Sequence, residues 1–301
     1  MNTKQLKYVI VLAREGSFSR AAETLGITQP SLSQYIKKIE KEIGLELFDR
    51  TNGNLRLTDA GQVYIEAGQK ILALERRMES QFSDLSDNRT GTVIIGASPY
   101  RTAGMMPAVA REFRRRYPGM HLTVREATTA ELAEGLEQGE FDLALTLLPV
   151  DERLFAWEKV TEEELILAVP MDRPPLPAQD VPRRRYPAVD PSVLNGQDLV
   201  MITSAQFMQR QLEELTAKFR LSIGTAAVVK SLEAQIGMVK AGVGMALTTT
   251  GIERFVSPEE VRFYSFTNPL PRRQVVVAWR ADRTLSRAAE ELKKIICETP
   301  L

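Results

Sequence analysis

One cysteine, Cys297, and one histidine, His121, stand among 301 residues. A single cysteine excludes an intrachain disulfide framework. A zinc site needs a cluster of ligands, and thiol catalysis needs a base beside the thiol; one residue of each type provides neither. His121 reads as a surface or edge-strand residue and Cys297 as a half-buried small apolar group. Acidic residues are plentiful, but no spacing singles out two of them as an acid and a base. An excess of one charge is also missing: 39 Lys and Arg face 39 Asp and Glu. The chain as a whole is therefore no polycation drawn to polyanions. No apolar run approaches the ~18 residues of a membrane span. The segment Met1–Gln5 leads into an amphipathic pattern, not the apolar core of a secretory signal. The expectation is a cytoplasmic protein with no membrane partner, no metal, no cofactor and no catalytic centre. At about 150 residues per domain, the length suggests roughly two domains.

What is present begins at Ser17. The stretch from Ser17 to Ile36 reads as two short helices joined by a tight turn. Ser17 is placed to cap the first by accepting from a free backbone N–H. Ala21 and Ala22 are small enough for close helix approach. Gly26 sits where a left-handed residue ends the helix, and Ile27 plugs the core from the turn. Thr28 is a second cap, and Pro30 falls in the first turn of the next helix, where a missing N–H does no harm. Leu32, Ile36, Ile39 and Ile43 follow at steps of four, three and four, so they share one face. The opposite face carries Gln29, Ser31, Ser33, Gln34, Lys37, Lys38 and Lys41. Short hydroxyls and amides suit base edges, and lysines suit phosphates. An ordinary solvated face would carry the same residue types. Asn52-Gly53 between two short apolar-alternating runs then signals a hairpin flanked by Arg50 and Arg56. Through Thr58, basic residues outnumber acidic ones nine to six. Positive charge is local to this end, as a helix-turn-helix with a basic wing in double-stranded DNA requires.

These residues at these spacings resemble the N-terminal domain of LysR-type transcriptional regulators. The resemblance runs through Leu6–Ala13, Gly16-Ser17-Phe18, Ala21-Ala22 and Leu25. It continues through Thr28-Gln29-Pro30-Ser31-Leu32-Ser33, Ile39-Glu40, Leu47-Phe48-Asp49-Arg50 and Leu57-Thr58-Asp59-Ala60-Gly61. The family commonly has Arg after the second serine of the recognition helix, where this chain has Gln34; that bears on base preference, not on binding mode. The length and layout also match, more weakly after residue 90.

From Asp59 to about Asn88 no proline interrupts. Ala60, Tyr64, Ala67, Ile71, Leu74, Met78 and Leu85 form a heptad seam, broken only by Gln81, as in a two-stranded coiled coil. A helix packing only on its own domain would show a similar stripe. A reader of paired half-sites needs two-fold symmetry, which favours the homodimer. From Thr92 onward strands alternate with helices, which predicts an α/β region with mostly parallel sheets. Met171–Pro191, rich in Pro and Arg, reads as a surface loop. The expected architecture is a winged helix-turn-helix over 1–58, a linker helix over 59–89 and an effector domain over 90–301. In the family such a region resembles a periplasmic binding protein. The resemblance implies subdomains 92–161 plus 267–301 and 162–266, with crossings near Val160–Glu164 and Phe266–Pro271.

Ligands of open α/β sheets sit beyond the carboxyl ends of strands, near helix N-termini that favour anions. Those points carry Ser98, Thr128, Thr129, Thr203 and Ser204, with Tyr100, Arg101 and Phe207 close by in sequence. Each hydroxyl alone could simply cap its helix. The resemblance implies that Ser98, Thr128, Thr129, Thr203 and Phe207 line an effector site. A small anionic metabolite is expected there, with Arg101 as a charge partner. The resemblance also implies a homotetramer and RNA polymerase as a partner. A regulator with a closed cleft that needs no ligand is the alternative. A solute-binding protein would explain 92–301 but not the N-terminal motif, and an enzyme acting on a small acid would share the cleft. The glycines Gly237, Gly242 and Gly244 lack the spacing of a phosphate-binding fingerprint and read as a helix-to-strand turn. Arg114–Arg116 and Arg183–Arg185 read as solvated surface.

Overall fold

A computed structural model describes residues 2–49, 55–85, 91–203 and 206–299. The head consists of α1 (Thr3–Glu15), α2 (Phe18–Leu25) and α3 (Gln29–Ile43), followed by β1 (Phe48–Asp49) and β2 (Arg56–Leu57). Gly16, Gly26 and Gly44 end the three helices in left-handed conformation. Leu32, Ile36 and Ile39 are buried against Val9, Leu12 and Ala21. Ile43, expected on the same face, is instead exposed, because it lies at the last turn beyond the core. Ser17 occupies the N-cap of α2 but makes no side-chain cap bond. Thr28 does cap α3, accepting from the Ser31 N–H at 3.4 Å. The strands β1 and β2 pair antiparallel, Phe48 opposite Leu57. Arg50 and Asn52, the wing candidates between them, lie outside the described residues.

The linker α4 (Asp59–Leu85) starts at Thr58, whose hydroxyl accepts from the Gly61 N–H at 3.0 Å. Its apolar stripe divides. Ala60, Tyr64 and the buried Ile65 pack into the head core. Gly68 faces α1, where an added Cβ would lie 3.1 Å from Leu6 Cδ2. The exposed stripe is Val63, Ile71, Leu74, Met78 and Phe82. Of the predicted seam, Ala67, Ile71, Leu74 and Met78 are exposed, whereas Ala60 and Tyr64 belong to the head core, because the head claims the first turns. The side chains of Gln81 and Leu85 lie outside those described.

The first subdomain runs through β3 (Gly91–Ala97), α5 (Pro99–Gly104), α6 (Met106–Arg116), β4 (Met120–Glu126), α7 (Thr129–Gln138), β5 (Leu143–Leu147) and β6 (Phe155–Glu163). The chain then enters the second subdomain. Its elements are β7 (Leu165–Pro170), β8 (Ala178–Gln179), β9 (Ala188–Val189), β10 (Asp198–Ile202), α8 (Gln206–Phe219), β11 (Gly224–Val229), α9 (Leu232–Lys240), β12 (Ala246–Thr249) and β13 (Val261–Phe266). It returns as β14 (Arg273–Arg280) and ends with α10 (Arg287–Glu298). One sheet has the order β4-β3-β5-β14-β6 and the other β12-β7-β13-β9-β8, with β10 and β11 paired beside it. The expectation of mostly parallel sheets fails in part. β3, β4 and β5 are parallel, but β14 runs antiparallel to both β5 and β6, and most pairs of the second sheet are antiparallel. A strand that re-enters a sheet from the other subdomain is not bound by the right-handed crossover that makes neighbours parallel. The stretch Met171–Pro191 is not all surface loop, since Ala188 and Val189 are fully buried in β9. Gly237 lies in α9 and Gly242 and Gly244 in the turn to β12, as expected.

Apolar residues on both faces of the first sheet form its core. Ile95, Leu145 and Val277 meet Val109, Phe113, Leu292 and Ile296 on one side. Ile94 and Ala144 meet Leu132 and Leu136 on the other. Cys297 is half-buried at the edge of the first of these clusters, and His121 is exposed on edge strand β4.

One polar contact ties the reading helix to the wing. Glu40 Oε1 accepts from the backbone N–H of Leu47 at 3.0 Å and of Phe48 at 3.3 Å. Replacing Glu40 by Leu leaves two part-buried donors without that acceptor, at about 1–3 kcal/mol. The expected outcome for Glu40→Leu is faster amide hydrogen exchange at Leu47 and Phe48 than in the parent chain. Unchanged exchange there would show that the wing is held by its apolar contacts alone.

Candidate DNA-reading head and effector cleft

On α3 the candidate reading residues Gln29, Pro30, Ser31 and Gln34 are exposed, Ser33 is half-buried, and Lys37, Lys38 and Lys41 are exposed. Thr28 Oγ1 and Ser31 Oγ lie 2.8 Å apart, so these two hydroxyls hold each other at the start of the helix. Ser17 is half-buried at the start of α2, and Arg56 is exposed on β2. Tyr35 stands edge-on to Tyr8 at 5.1 Å between ring centroids, with the Lys4 ammonium 5.5 Å from its ring. A helix with an apolar inner face, a polar outer face at its N-terminal half and lysines further along has the layout of a recognition helix in the major groove.

In the effector region, Ser98 and Thr128 follow β3 and β4, which pair in parallel with Ala97 opposite Glu126. The two hydroxyls therefore share one edge of the first sheet. Thr128 is occupied by a capping box: its hydroxyl accepts from the Glu131 N–H at 3.4 Å, and the Glu131 carboxylate accepts from the Thr128 N–H at 2.7 Å. Thr129, the first residue of α7, is exposed. Thr203 follows β10 in the second subdomain, where its N–H and hydroxyl both donate to Val229 O, at 3.0 and 3.4 Å. Phe207 is half-buried against the second subdomain core. Ser204 lies outside the described residues.

The structure gathers Ser98, Tyr100 and Arg101 around a buried charge cluster at the crossing between the subdomains. Arg101 Nη2 donates to both oxygens of Glu163, at 3.1 and 3.2 Å, and Arg101 Nη1 donates to Ser98 Oγ at 3.3 Å. Arg273 Nη2 donates to Glu163 Oε2 at 2.5 Å, and the Thr249 hydroxyl donates to the same oxygen at 3.1 Å. Side chains of Arg101, Glu163 and Arg273 are each no more than 8% exposed. Two guanidinium groups thus face one carboxylate. Arg273 Nε is buried without a hydrogen-bond partner. Burial pulls the Arg101 guanidinium below its usual pKa, opposed by Glu163. Burial, with Glu163 second, pushes the Tyr100 phenol up, and its hydroxyl donates to Thr250 O of the second subdomain at 3.2 Å. Glu163, Thr249 and Arg273 were missed by sequence reasoning. The only hints were the acidic run Glu162–Glu164 and the pair Arg272-Arg273 at the two crossings.

Comparison with known proteins agrees with this layout. The family described as bacterial regulatory helix-turn-helix protein, lysR family, matches residues 3–62, and the LysR substrate binding domain matches residues 86–299. The HTH-type transcriptional regulator YcgK of Bacillus subtilis is 26% identical over 99% of this chain and 95% of its own length. The DNA-binding transcriptional dual regulator OxyR of Escherichia coli is 26% identical over 98% of this chain and 95% of its own. Among solved structures, a full-length OxyR variant from Pseudomonas aeruginosa superposes with a TM-score of 0.67 at 26% identity, covering 100% of this chain and 99% of that one. The regulator CbnR bound to its target DNA superposes with a TM-score of 0.69 at 18% identity, covering 98% and 100%, a likeness of fold. A family match across the head and across most of the remaining chain leaves one assignment: the chain belongs to the LysR family, DNA-binding transcriptional regulators rather than enzymes.

Proposed function

We propose that this chain is a homodimeric, ligand-gated member of the family, with α3 and the wing reading DNA and a small anionic metabolite in the cleft setting the output. The buried surplus of positive charge, Arg101 and Arg273 against Glu163 with Ser98 alongside, is the observation that carries the ligand class. Buried charge without a counter-charge is costly, so a carboxylate or similar anion is the partner such a cluster favours. Ser98, Tyr100, Arg101, Thr128 and Thr129 would meet it from the first subdomain, Thr203 and Phe207 from the second. The division into head 1–58, linker 59–89 and effector domain 90–301 belongs to the same proposal. Pairing of dimers into a tetramer and contact with RNA polymerase belong to the same proposal.

A thiol trigger fits poorly. Several relatives are named hydrogen peroxide-inducible genes activators. Here the single thiol, Cys297, is pushed up to about 11, by burial first and by Glu158 next. Peroxide reacts with the thiolate, and a thiol so protonated at neutral pH is a poor sensor.

The exposed stripe of α4 supports the dimer. Leu74 is 65% and Phe82 59% exposed, too apolar a surface to leave in water along three turns. The parent chain is expected to sediment as a dimer or larger at micromolar concentration, and Leu74→Asp with Met78→Asp to shift it to monomer. A parent chain that stays monomeric contradicts this assignment.

Lys37→Ala is expected to reduce the slope of log affinity against log salt by about one, with little change in sequence preference. Gln34→Ala or Ser33→Ala is expected to change which sequences are selected from a random pool. An unchanged salt slope would remove Lys37 from the phosphate contacts.

For the ligand, thermal unfolding of the full chain is scanned against small carboxylates, amino acids, sugar phosphates and aromatic acids. An effector at a hundred times its dissociation constant stabilises by about 2.7 kcal/mol, several degrees in Tm. That shift is expected to be lost in Ser98→Ala, Thr129→Val. A silent panel would favour a regulator with a closed cleft.

A further inference from the structure

One helix spans the distance between the candidate cleft and the linker. α7 begins at the cleft edge with the capping box of Thr128 and Glu131. Ten residues later it ends at Gly139, in contact with α4. At 1.5 Å per residue, α7 is a strut of about 15 Å.

The far end is tightly fitted. Gly139 has φ +77°, the left-handed region that glycine occupies without strain. Space is a second reason for glycine there. An added Cβ would lie 2.7 Å from Ala73 Cβ on α4 and 2.7 Å from Arg283 Nη1. The next residue, Glu140, accepts through Oε1 from Gln69 Nε2 at 2.6 Å, and its Oε2 lies 3.9 Å from Arg125 Nη1. Arg280 Nη1 donates to Glu137 O at 2.6 Å, fixing the last turn from β14. Gln69 and Ala73 are four apart, so they present one face of α4 to this corner.

The middle of the strut has no slack. Leu132 and Leu136 are 2% exposed and pack with Phe141, Ile94 and Ala144. An added Cβ at Gly96, beneath them, would lie 2.6 Å from Leu132 Cδ2. A close-packed helix is displaced as a body and not bent, so a shift at Thr128 arrives at Gly139.

We propose that the corner Gly139–Glu140, set against Gln69 and Ala73, is the relay by which the state of the cleft reaches the DNA-binding heads. The proposal rests on the reading of the cleft as the gating site. Gln69 and Glu140 act in it as positioning residues, touching neither DNA nor effector.

Coupling between two binding sites is reciprocal, so DNA must act on α7 as the effector acts on DNA. The relay can therefore be tested before any effector is known. The probe is a duplex selected from a random pool by the full-length chain. Amide hydrogen exchange is followed across residues 128–138 with and without the duplex. In the parent chain the duplex is expected to change exchange in this segment several-fold. In Gln69→Leu, a change on the surface of α4, and in Glu140→Gln, that response is expected to shrink to near nothing while the duplex still binds. Gly139→Ala, which presses on Ala73, is expected to alter exchange at 128–138 without any duplex.

A segment that ignores the duplex in the parent chain overturns the relay. So does a response of equal size in Gln69→Leu. Failure of the gating reading looks different: the small-molecule panel stays silent while the duplex still moves α7 through Gln69, an outcome that keeps the relay and removes the metabolite.

Discussion

The two subdomains of the effector region meet at a single carboxylate. Glu163 is the last residue of β6 and stands opposite Arg273, the first residue of β14, in the same ladder. The outgoing and returning crossings of the chain therefore meet at one point. Arg101 reaches that point from α5 and Thr249 from the end of β12. A carboxylate so buried cannot lose one of its partners without a cost of several kcal/mol, which ties the four elements to one arrangement. Tyr100 donates to Thr250 O of the second subdomain beside the same cluster, a further tie between the two subdomains within two residues of Ser98. The charge count is uneven, two guanidinium groups to one carboxylate, and this imbalance is what the proposed anion would meet.

The head has a different problem, that of size. About sixty residues bury too little surface to be comfortably stable alone. α4 answers by lending its first turns to the head core: Ile65 is buried, Tyr64 packs beside it, and Gly68 admits the Leu6 side chain of α1. The same helix then leaves Ile71, Leu74 and Met78 outward. A single helix is thus core for the head at one end and a bare apolar stripe at the other. Orientation of the head relative to that stripe is set by close packing, not by a flexible tether.

This division explains why the stripe was only partly legible. Periodicity shows that residues share a face of a helix; it does not say which neighbour covers the face. Ala60 and Tyr64 fit a heptad as well as Val63 does, and only the position of α1 separates them. The helices of the head were legible because caps, glycines and spacing all agree over residues 17–44. β6 was not, because a charged edge strand carrying Glu158, Lys159 and Glu162 reads as polar loop; such charges guard an edge from pairing further. β9 was missed for the opposite reason, its two buried residues being too short a signal within a Pro-rich stretch. Arg101 was found beside Ser98 because the two are neighbours in sequence. Its partner lies 62 residues away and Arg273 lies 110 residues beyond Glu163, separations that no local pattern reports.

The strength of the proposed gate is limited by how differently a ligand binds two arrangements of the same contacts. A metabolite that fits both equally shifts nothing, however tightly it binds. Under the proposed gating, Glu163 already takes one nitrogen each of Arg101 and Arg273, so an anion would gain most in an arrangement that brings a further hydroxyl or helix end to it. Thr128 and Thr129 lie at that edge, at the start of α7. The energy such a gate would have for moving the heads is the difference between an anion held by the first subdomain alone and one held by both. A difference of a few kcal/mol is enough to switch a population by two orders of magnitude.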